Sequence, residues 1–210
     1  MEQAILNPLS ARKGHFLMES GHHGERWFDL ELLCHQPREV QPFAVTLAER
    51  LSAFDVDAVC GPLVEGAFVG LMVASQLGCA FAYSERVSQP AEDGLYPVGY
   101  RVPHALRRSL VHKRIAIVND VINAGSAVKG TFADLQRCDA HVVAIGALLV
   151  LGDEAARFAA ENGVSLLSLA TLENNLWTAG ECPLCAAGVP LVDRAEFAAP
   201  RPIQEQLPGN

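Results

Sequence analysis

Short apolar runs alternate with amphipathic segments along most of the chain from Asp55 onward. The apolar runs are uninterrupted and bounded by glycine or polar residues, which is typical of buried strands in a parallel sheet. The intervening segments place apolar residues three and four positions apart, which predicts helices. The pattern therefore predicts an α/β fold with a central, mostly parallel sheet flanked by helices. The predicted strands are 56–60, 79–83, 115–118, 142–150 and 164–169, and the predicted helices are 65–77, 126–137 and 153–161.

The first 54 residues follow a different pattern. Residues 14–19 and 26–33 are two apolar-rich runs, and the polar, glycine-containing segment 20–25 connects them, which predicts a β-hairpin. Residues 38–54 repeat apolar side chains at helical spacing, which predicts an amphipathic helix. We therefore divide the chain into three parts, an N-terminal region (1–36), an α/β core (37–195) and a proline-containing C-terminal tail (196–210).

Composition limits the class of protein. The chain has 210 residues, half of them hydrophobic, which is enough for one α/β domain with a small accessory element. Its net charge of −8 argues against nucleic acid as a partner, whereas a few backbone N–H groups suffice to bind an anionic small molecule. No signal-peptide pattern is visible, the most apolar stretch (142–151) is too short for a bilayer, and six scattered cysteines favour reduced thiols. We expect a cytoplasmic protein without a membrane partner.

The strongest local signal is the segment 114–127, RIAIVNDVINAGSA. Its apolar first part predicts a buried strand, and polar residues follow at the carboxyl end, where open α/β sheets bind ligands. The small residues 123–127 open a predicted helix, so their N–H groups and the Ser126 hydroxyl could bind a phosphate. Asp120 could accept hydrogen bonds from ribose hydroxyls. The glycine patterns of P-loops and dinucleotide-binding folds are missing, and a plain strand–turn–helix remains the alternative.

This segment resembles the 5-phosphoribosyl-1-pyrophosphate (PRPP) signature of type I phosphoribosyltransferases, which has a hydrophobic strand, two acids and a small-residue turn. Asn119 stands in place of the first acid, so this position keeps a hydrogen-bonding group but lacks the charge. If it binds ribose, Asn119→Asp should tighten ligand binding. The resemblance implies that Asp120 holds the ribose and that the 5-phosphate is bound by Asn123, Ala124, Gly125, Ser126 and Ala127.

Two further segments extend the resemblance. Residues 60–70, CGPLVEGAFVG, are similar to the family's pyrophosphate loop, with a tight strand–helix turn as the alternative. The N-terminal run FLMESG, a short gap and then WFDL resemble the hood of orotate phosphoribosyltransferases, with a plain hairpin as the alternative. The resemblance implies that the pyrophosphate meets Leu63, Val64, Glu65 and Gly66, and that the base meets Phe16, Trp27 and Phe28.

Some thirty residues separate the predicted strands 79–83 and 115–118, a length that is usually functional or disordered. The resemblance implies a mobile loop, at about 84–112, that closes over the active site. Orotate enzymes carry lysines in this region, but none occurs here before Lys113. Arg86 and Arg101 are therefore the candidates for stabilising developing charge. We expect Arg107 and Arg108 to be ordinary surface residues.

Cys182 and Cys185 form a Cys-x-x-Cys pair near the C-terminus. A four-cysteine zinc site needs a second pair of this kind, which the sequence lacks. We expect a structural role for the pair, with a metal shared across a dimer interface as the alternative. His22 and His23, in the predicted hairpin turn, are expected to be exposed to solvent.

The combined resemblance implies a type I phosphoribosyltransferase fold and an enzyme closest to orotate phosphoribosyltransferase. Such an enzyme transfers the phosphoribosyl group of PRPP to orotate or a related base and releases pyrophosphate, as in pyrimidine nucleotide biosynthesis. It implies Mg²⁺, held near Asp120 mostly through the ligand, and a homodimer. The missing lysines and Asn119 leave a second hypothesis open, a catalytically weak or inactive homologue that binds PRPP or a nucleotide as a sensor or regulator.

Overall fold

An N-terminal β-hairpin begins the part of the chain, residues 11–28, 34–88, 95 and 98–192, that the computed structural model describes. Strand β1 (Ala11–Leu17) pairs antiparallel with β2 (His23–Phe28). The backbone N–H of Met18 donates to the carbonyl of His22 at 2.8 Å and closes the turn. The predicted hairpin is confirmed, although residues 29–33 of its second run lie outside the described residues.

A six-stranded sheet forms the centre of the molecule, in the order β5-β4-β3-β6-β7-β8. All neighbouring strands are parallel except β4 and β5, which are antiparallel. The predicted mostly parallel sheet is therefore confirmed. Its strands are β3 (Ala58–Pro62), β4 (Ala80–Ser88), β5 (Val98–Arg101), β6 (Arg114–Ile122), β7 (His141–Leu151) and β8 (Ser165–Leu172).

Helices cover both faces of this sheet. On one face, Val40 and Leu47 of α1 and Val69 and Val73 of α2 pack in one core cluster. On the other face, Phe132 and its neighbours on the fourth helix pack in a second cluster. Buried apolar area on both faces accounts for the uninterrupted apolar strands in the sequence. The helices are α1 (Pro37–Leu51), α2 (Glu65–Leu77), α3 (His104–Leu110), α4 (Ser126–Gln136), α5 (Glu154–Glu161) and α6 (Pro183–Ala186).

Two strands run further than the apolar pattern predicts. The sequence ends the sixth strand at Val118, but β6 continues to Ile122, because β7 offers partners through Ala147 and Val150. As a result Asn119 and Asp120 are strand residues at the edge of a cleft. Similarly, β4 continues to Ser88, because it pairs with β5 in an antiparallel hairpin.

The region from 84 to 112, expected as one loop, is largely regular in its described part. It contains the end of β4, then β5 and α3, while residues 89–94, 96 and 97 lie outside the described residues. The buried carboxylate of Asp134 on α4 anchors the second arm. It accepts hydrogen bonds from the Val102 N–H at 2.8 Å and from Arg107 Nη1 at 2.7 Å. The surface expectation is thus wrong for Arg107 and fits Arg108, which is exposed.

A small second sheet joins the hairpin to the end of the chain. Strand β9 (Leu176–Trp177) pairs antiparallel with β2, and the helical turn α6 follows it. The tail 196–210 lies outside the described residues. Among the described helices, none has the length and apolar character needed to cross a membrane.

Candidate functional site

A cleft of about 280 Å³ opens at the carboxyl ends of β3 and β6. The hairpin forms one wall, the start of α2 another, and the turn between β6 and α4 lies at the base. Its position is the one that ligands occupy in open α/β sheets. The lining residues include Glu19, Arg26 and Trp27 of the hairpin, 63–66, Tyr100, and 119–127.

The turn at the start of α4 has the geometry of a phosphate loop. Gly125 stands at the N-cap with φ +78°, a left-handed conformation that glycine adopts without a steric penalty. The helix that follows directs its first N–H groups, and the positive end of its dipole, toward the cleft. Ser126 adds a hydroxyl, which at present donates to Glu19 Oε1 at 3.3 Å. The loop therefore offers several donors to one anionic group.

Asp120 points an unpaired oxygen into this cleft. The residue is only 4% exposed, and its Oδ2 is buried with no hydrogen-bond partner among the described residues. Burial raises its pKa to about 7 against the opposing effect of backbone hydrogen bonds, and repulsion from Glu65 contributes. A buried acceptor without a donor is costly unless a ligand supplies one. Two ribose hydroxyls, or a cation, would meet that need.

Asn119 has a structural role that its sequence position did not reveal. Its Nδ2 donates to the carbonyl of Val121 at 2.9 Å, and the residue is buried. Its Oδ1 faces Gly66, where an added Cβ would collide with that oxygen. The amide thus connects the end of β6 to the start of α2. A side chain with two negative oxygens could not make the bond to Val121.

The segment 63–66 forms the opposite wall. The peptide bond between Leu63 and Val64 is cis, and the N–H of Leu63 donates to the carbonyl of Ser84 at 2.9 Å. Gly61 allows the close approach of this wall, because a Cβ there would meet backbone atoms of Gly66 and Ala67 at 2.6 Å. The first N–H groups of α2 have no intrahelical partner and can bind an anion.

Glu19 connects the hairpin to the rest of the site, and the sequence did not single it out. Its Oε1 accepts a hydrogen bond from the Tyr100 hydroxyl at 2.9 Å. Its Oε2 lies 3.8 Å from Nη1 of Arg86. Burial, with the neighbouring Glu19 charge, raises the pKa of Tyr100 well above its ordinary value. One carboxylate therefore contacts both arms of the β4–β5 hairpin and the phosphate loop.

The structure brings most of the predicted site residues together. The residues at 63–66, 119, 120 and 123–127 line one cleft, as do Trp27 and Phe28. Phe16 is buried behind the lining, with its ring centroid 6.0 Å from that of Trp27. Arg86 reaches the site through Glu19, whereas Arg101 is exposed at the end of β5. Arg26, which the sequence did not single out, contributes a buried Nε without a hydrogen-bond partner in the described chain.

The donor set of the cleft suits a magnesium ion bound together with phosphates. Mg²⁺ prefers oxygen ligands and is held by one or two carboxylates plus substrate phosphates. Asp120 and Glu65 both line the cleft, and their mutual repulsion raises the pKa of Asp120. A cation between them would remove that repulsion and give Asp120 Oδ2 a partner. The residues present therefore fit Mg²⁺.

A second polar cluster lies below the hairpin, outside the cleft. His23 is 6% exposed, so the expectation that it faces solvent is wrong. It packs instead with His15, Cys182 and Cys185. The sequence gave no reason to pair the Cys-x-x-Cys motif with these histidines, because some 160 residues separate them.

Comparison with known proteins follows the same direction as the site. No protein-family model matches the sequence. The chain is 28% identical over 182 residues to orotate phosphoribosyltransferase of Caldanaerobacter subterraneus subsp. tengcongensis, with 86% of this chain and 87% of that protein covered. It is therefore similar to that protein over nearly its whole length.

Solved structures share the fold. The structure of orotate phosphoribosyltransferase from Aeropyrum pernix matches with a TM-score of 0.60 at 21% identity, covering 82% of this chain and 94% of that one. That of adenine phosphoribosyltransferase from Trypanosoma brucei, solved with AMP, pyrophosphate and ribose-5-phosphate, matches at 0.64 and 16% identity, covering 93% and 90%. The chain belongs to the type I phosphoribosyltransferases and is related to the orotate phosphoribosyltransferases.

Proposed function

We propose that this protein transfers the phosphoribosyl group of PRPP to orotate and releases pyrophosphate, a step of pyrimidine nucleotide biosynthesis. The observation that carries the proposal is the cleft itself. It combines a phosphate loop at 123–127, an unpaired carboxylate oxygen at Asp120 and a second anion-binding wall at 63–66. PRPP has a 5-phosphate, two ribose hydroxyls and a pyrophosphate, and each of these has a matching group in the cleft.

In the proposed reaction, a ring nitrogen of the base forms a bond to C1 of the ribose while the bond from C1 to the pyrophosphate oxygen breaks. The loop at 123–127 holds the 5-phosphate, and Asp120 accepts hydrogen bonds from the ribose hydroxyls. The wall at 63–66 receives the departing pyrophosphate. Fixing both ends of PRPP positions C1 for attack and contributes to the rate through orientation.

Mg²⁺ would be held by Asp120 and Glu65 together with PRPP oxygens, and it would neutralise charge on the pyrophosphate. The site's own cations are few. Arg86 lies 3.8 Å from Glu19, so it can turn toward pyrophosphate only by leaving that carboxylate. An arginine can clamp a pyrophosphate through paired hydrogen bonds but gives up no proton near neutral pH.

Arg26 supports orotate as the base. Orotate carries a carboxylate, and most other nucleobases do not. Arg26 lines the cleft beside Trp27 and leaves a buried Nε without a partner among the described residues. A guanidinium binds a carboxylate with two parallel hydrogen bonds, so an anionic base would satisfy that donor. Trp27 and Phe28 would pack against the ring.

The experiment is an assay of pyrophosphate release by the full chain with Mg²⁺, PRPP and one base at a time. We expect release with orotate and much less with uracil or adenine. Arg26→Gln should raise the KM for orotate about 10–100-fold, the loss of one charge-assisted pair, and leave the KM for PRPP nearly unchanged. Arg108→Gln, an exposed arginine far from the hairpin in sequence, is the matched control.

The outcomes separate substrate from fold. Release with adenine alone would overturn orotate as the base but keep the transferase. PRPP binding without turnover of any base would contradict the proposed reaction. If PRPP with Mg²⁺ produced no thermal shift at all, the assignment of the cleft would be wrong.

We also propose that two copies associate through the outer face of α2. Val64, Phe68 and Leu71 are 53%, 47% and 53% exposed and stand four and three positions apart, on one side of that helix. Neighbouring apolar side chains of this size are unusual on a free surface and mark interfaces. This face adjoins the wall at 63–66, so a partner there would also support the site.

A further inference from the structure

The hairpin and the C-terminal segment bring four metal-binding side chains together. The atoms are His15 Nε2, His23 Nδ1 and the sulfurs of Cys182 and Cys185, and all lie within 4.8 Å of one another. We propose that these four residues form a structural zinc site that fastens the hairpin to the end of the chain. No part of the proposed transferase reaction requires it.

The distances fit one tetrahedral ion. His15 Nε2 lies 2.8 Å from His23 Nδ1, and Cys182 Sγ lies 3.5 Å from His15 Nε2. Cys185 Sγ lies 3.2 Å from His23 Nδ1 and 3.7 Å from His15 Nε2. Zinc–nitrogen and zinc–sulfur bonds of standard length place tetrahedral ligand atoms about 3.3–3.8 Å apart. The four atoms thus need to move by only a few tenths of an ångström.

The second nitrogen of His15 is already oriented for metal binding. His15 Nδ1 lies 2.7 Å from the carbonyl oxygen of Val189, to which it donates. With the proton on Nδ1, the lone pair of Nε2 faces the cluster. Metal-binding histidines commonly fix their ring in this way through a carbonyl or carboxylate partner.

The donor set selects zinc and a structural role. Two thiolates and two imidazoles in tetrahedral arrangement are typical of structural Zn²⁺ sites, whereas Mg²⁺ and Ca²⁺ require oxygen ligands. All four positions are taken by protein, so none is left for a substrate. His15, His23 and Cys182 are buried, and Cys185 alone is exposed. Binding would release the protons of the two thiols.

The site would stabilise the wall of the cleft. The hairpin carries Glu19, Arg26 and Trp27 into the cleft, and its link to the C-terminal segment otherwise consists of polar contacts such as the Val192 N–H to the His15 carbonyl at 2.8 Å. A metal at the base of β1 and β2 would restrict the hairpin relative to the central sheet. Its loss should therefore increase hairpin motion without unfolding β3 to β8.

The first experiment measures metal in the full-length protein purified under reducing conditions without added chelator. We expect close to one zinc per chain, released in proportion when the thiols are titrated with a mercurial. The double variant Cys182→Ser/Cys185→Ser should lose the zinc. Cys79→Ser and His22→Ala, a cysteine and a histidine outside the cluster, are matched controls and should retain it.

The second experiment uses Co²⁺ to identify ligands in case the double variant folds poorly. Apo-protein loaded with Co²⁺ should show thiolate charge-transfer absorption and the intense visible bands of a tetrahedral ion. His23→Cys replaces one ligand by another, so it should retain the metal with stronger charge-transfer absorption. His23→Ala should bind Co²⁺ at least ten-fold more weakly. Amide hydrogen exchange should rise in β1 and β2 on metal removal and stay unchanged in β6 and β7.

Two results would overturn the proposal. One is a protein that is metal-free as purified and takes up neither Zn²⁺ nor Co²⁺ after reduction. The other is binding that is unchanged in His23→Ala and in the double cysteine variant. A disulfide between Cys182 and Cys185 in protein kept in a reducing buffer would count as the first result, since thiolates are then absent.

Discussion

Asp120 is a residue whose cost in the free protein indicates its use. Its pKa is raised to about 7 from 3.8, chiefly by burial, so the folded protein holds this proton more firmly than the unfolded chain. A raised acid pKa costs nothing below about pH 4. The cost grows as the pH rises from 4 to 7 and is constant above that.

Replacing Asp120 by Asn should therefore stabilise the ligand-free protein at pH 8 by about 2–4 kcal/mol, since each pKa unit corresponds to about 1.4 kcal/mol. At pH 4 the two proteins should differ little. Urea unfolding at both values measures the effect. With PRPP and Mg²⁺ the order should reverse, because Asn cannot replace the carboxylate. Equal stability of the two proteins at pH 8 would mean that Asp120 is not held in a desolvated state.

Asn119 is a second residue whose environment changes an expectation. The sequence suggests that Asn119→Asp tightens ligand binding, but its Nδ2 donates to the Val121 carbonyl, and Asp120 lies beside it. An Asp there would face that carbonyl and add a buried charge near Glu65. We now expect a loss of about 2–3 kcal/mol in stability without ligand, and recovery of part of it with Mg²⁺ and PRPP. Thermal unfolding with and without ligand tests this, and a variant as stable as the parent would contradict it.

At the scale of elements, the phosphate loop depends on one backbone conformation. Gly125 has φ +78°, and an alanine there pays about 1 kcal/mol of strain. Gly78, at the end of α2, has φ +68° and lies outside the cleft, so Gly78→Ala is a matched control.

Both substitutions should lower stability by a similar amount, but Gly125→Ala alone should weaken PRPP binding, by about ten-fold, as the N–H groups lose alignment. Calorimetric titration with PRPP measures the difference. Equal affinities for the two variants would show that the 5-phosphate binds elsewhere.

The second arm of the β4–β5 hairpin depends on the buried carboxylate of Asp134. Arg107→Ala would leave that carboxylate with the Val102 N–H and a distant Arg137, and should cost about 2 kcal/mol. Arg108→Ala, one position further on the same helix, should be nearly neutral. Chemical denaturation compares them. Exchange of the Val102 amide should be faster in Arg107→Ala, and unchanged protection there would contradict the anchoring role.

The elements themselves were largely accessible from sequence, because apolar periodicity reports burial. Helix Glu65–Leu77 has the predicted bounds, and the Gly78 cap has the left-handed φ that a C-terminal glycine suggests. The extent of β6 was not accessible, because pairing with β7 extends the strand through two polar residues. The Glu19 contacts were also missed, since they join residues about 80 and 107 positions apart.

At the scale of the whole molecule, closeness between distant segments decides what sequence alone can reveal. The phosphate loop is local, so its motif was visible in fourteen consecutive residues. The His15–Cys185 contact spans 170 positions, and each half looks unremarkable by itself. The Cys-x-x-Cys pair was therefore weighed without its histidines, and the hairpin was assigned to the base alone.

The last prediction concerns assembly. Phe68 is 47% exposed in the centre of the apolar face of α2, between Val64 and Leu71. If two copies meet there, Phe68→Glu would place a charge in a desolvated interface, and the dimer constant should weaken by at least 100-fold. Sedimentation equilibrium of the two proteins measures it. Val111→Glu, at an exposed apolar residue after α3, should leave the dimer intact.

A wild-type chain that sediments as a monomer would contradict the proposed association, and so would a dimer that is insensitive to Phe68→Glu. Activity separates assembly from catalysis further. Because Val64 belongs to both the apolar face and the cleft wall, loss of the dimer should raise the KM for PRPP even though Phe68 itself lies outside the cleft lining. An unchanged KM in a monomeric variant would mean that each copy builds its pyrophosphate wall alone.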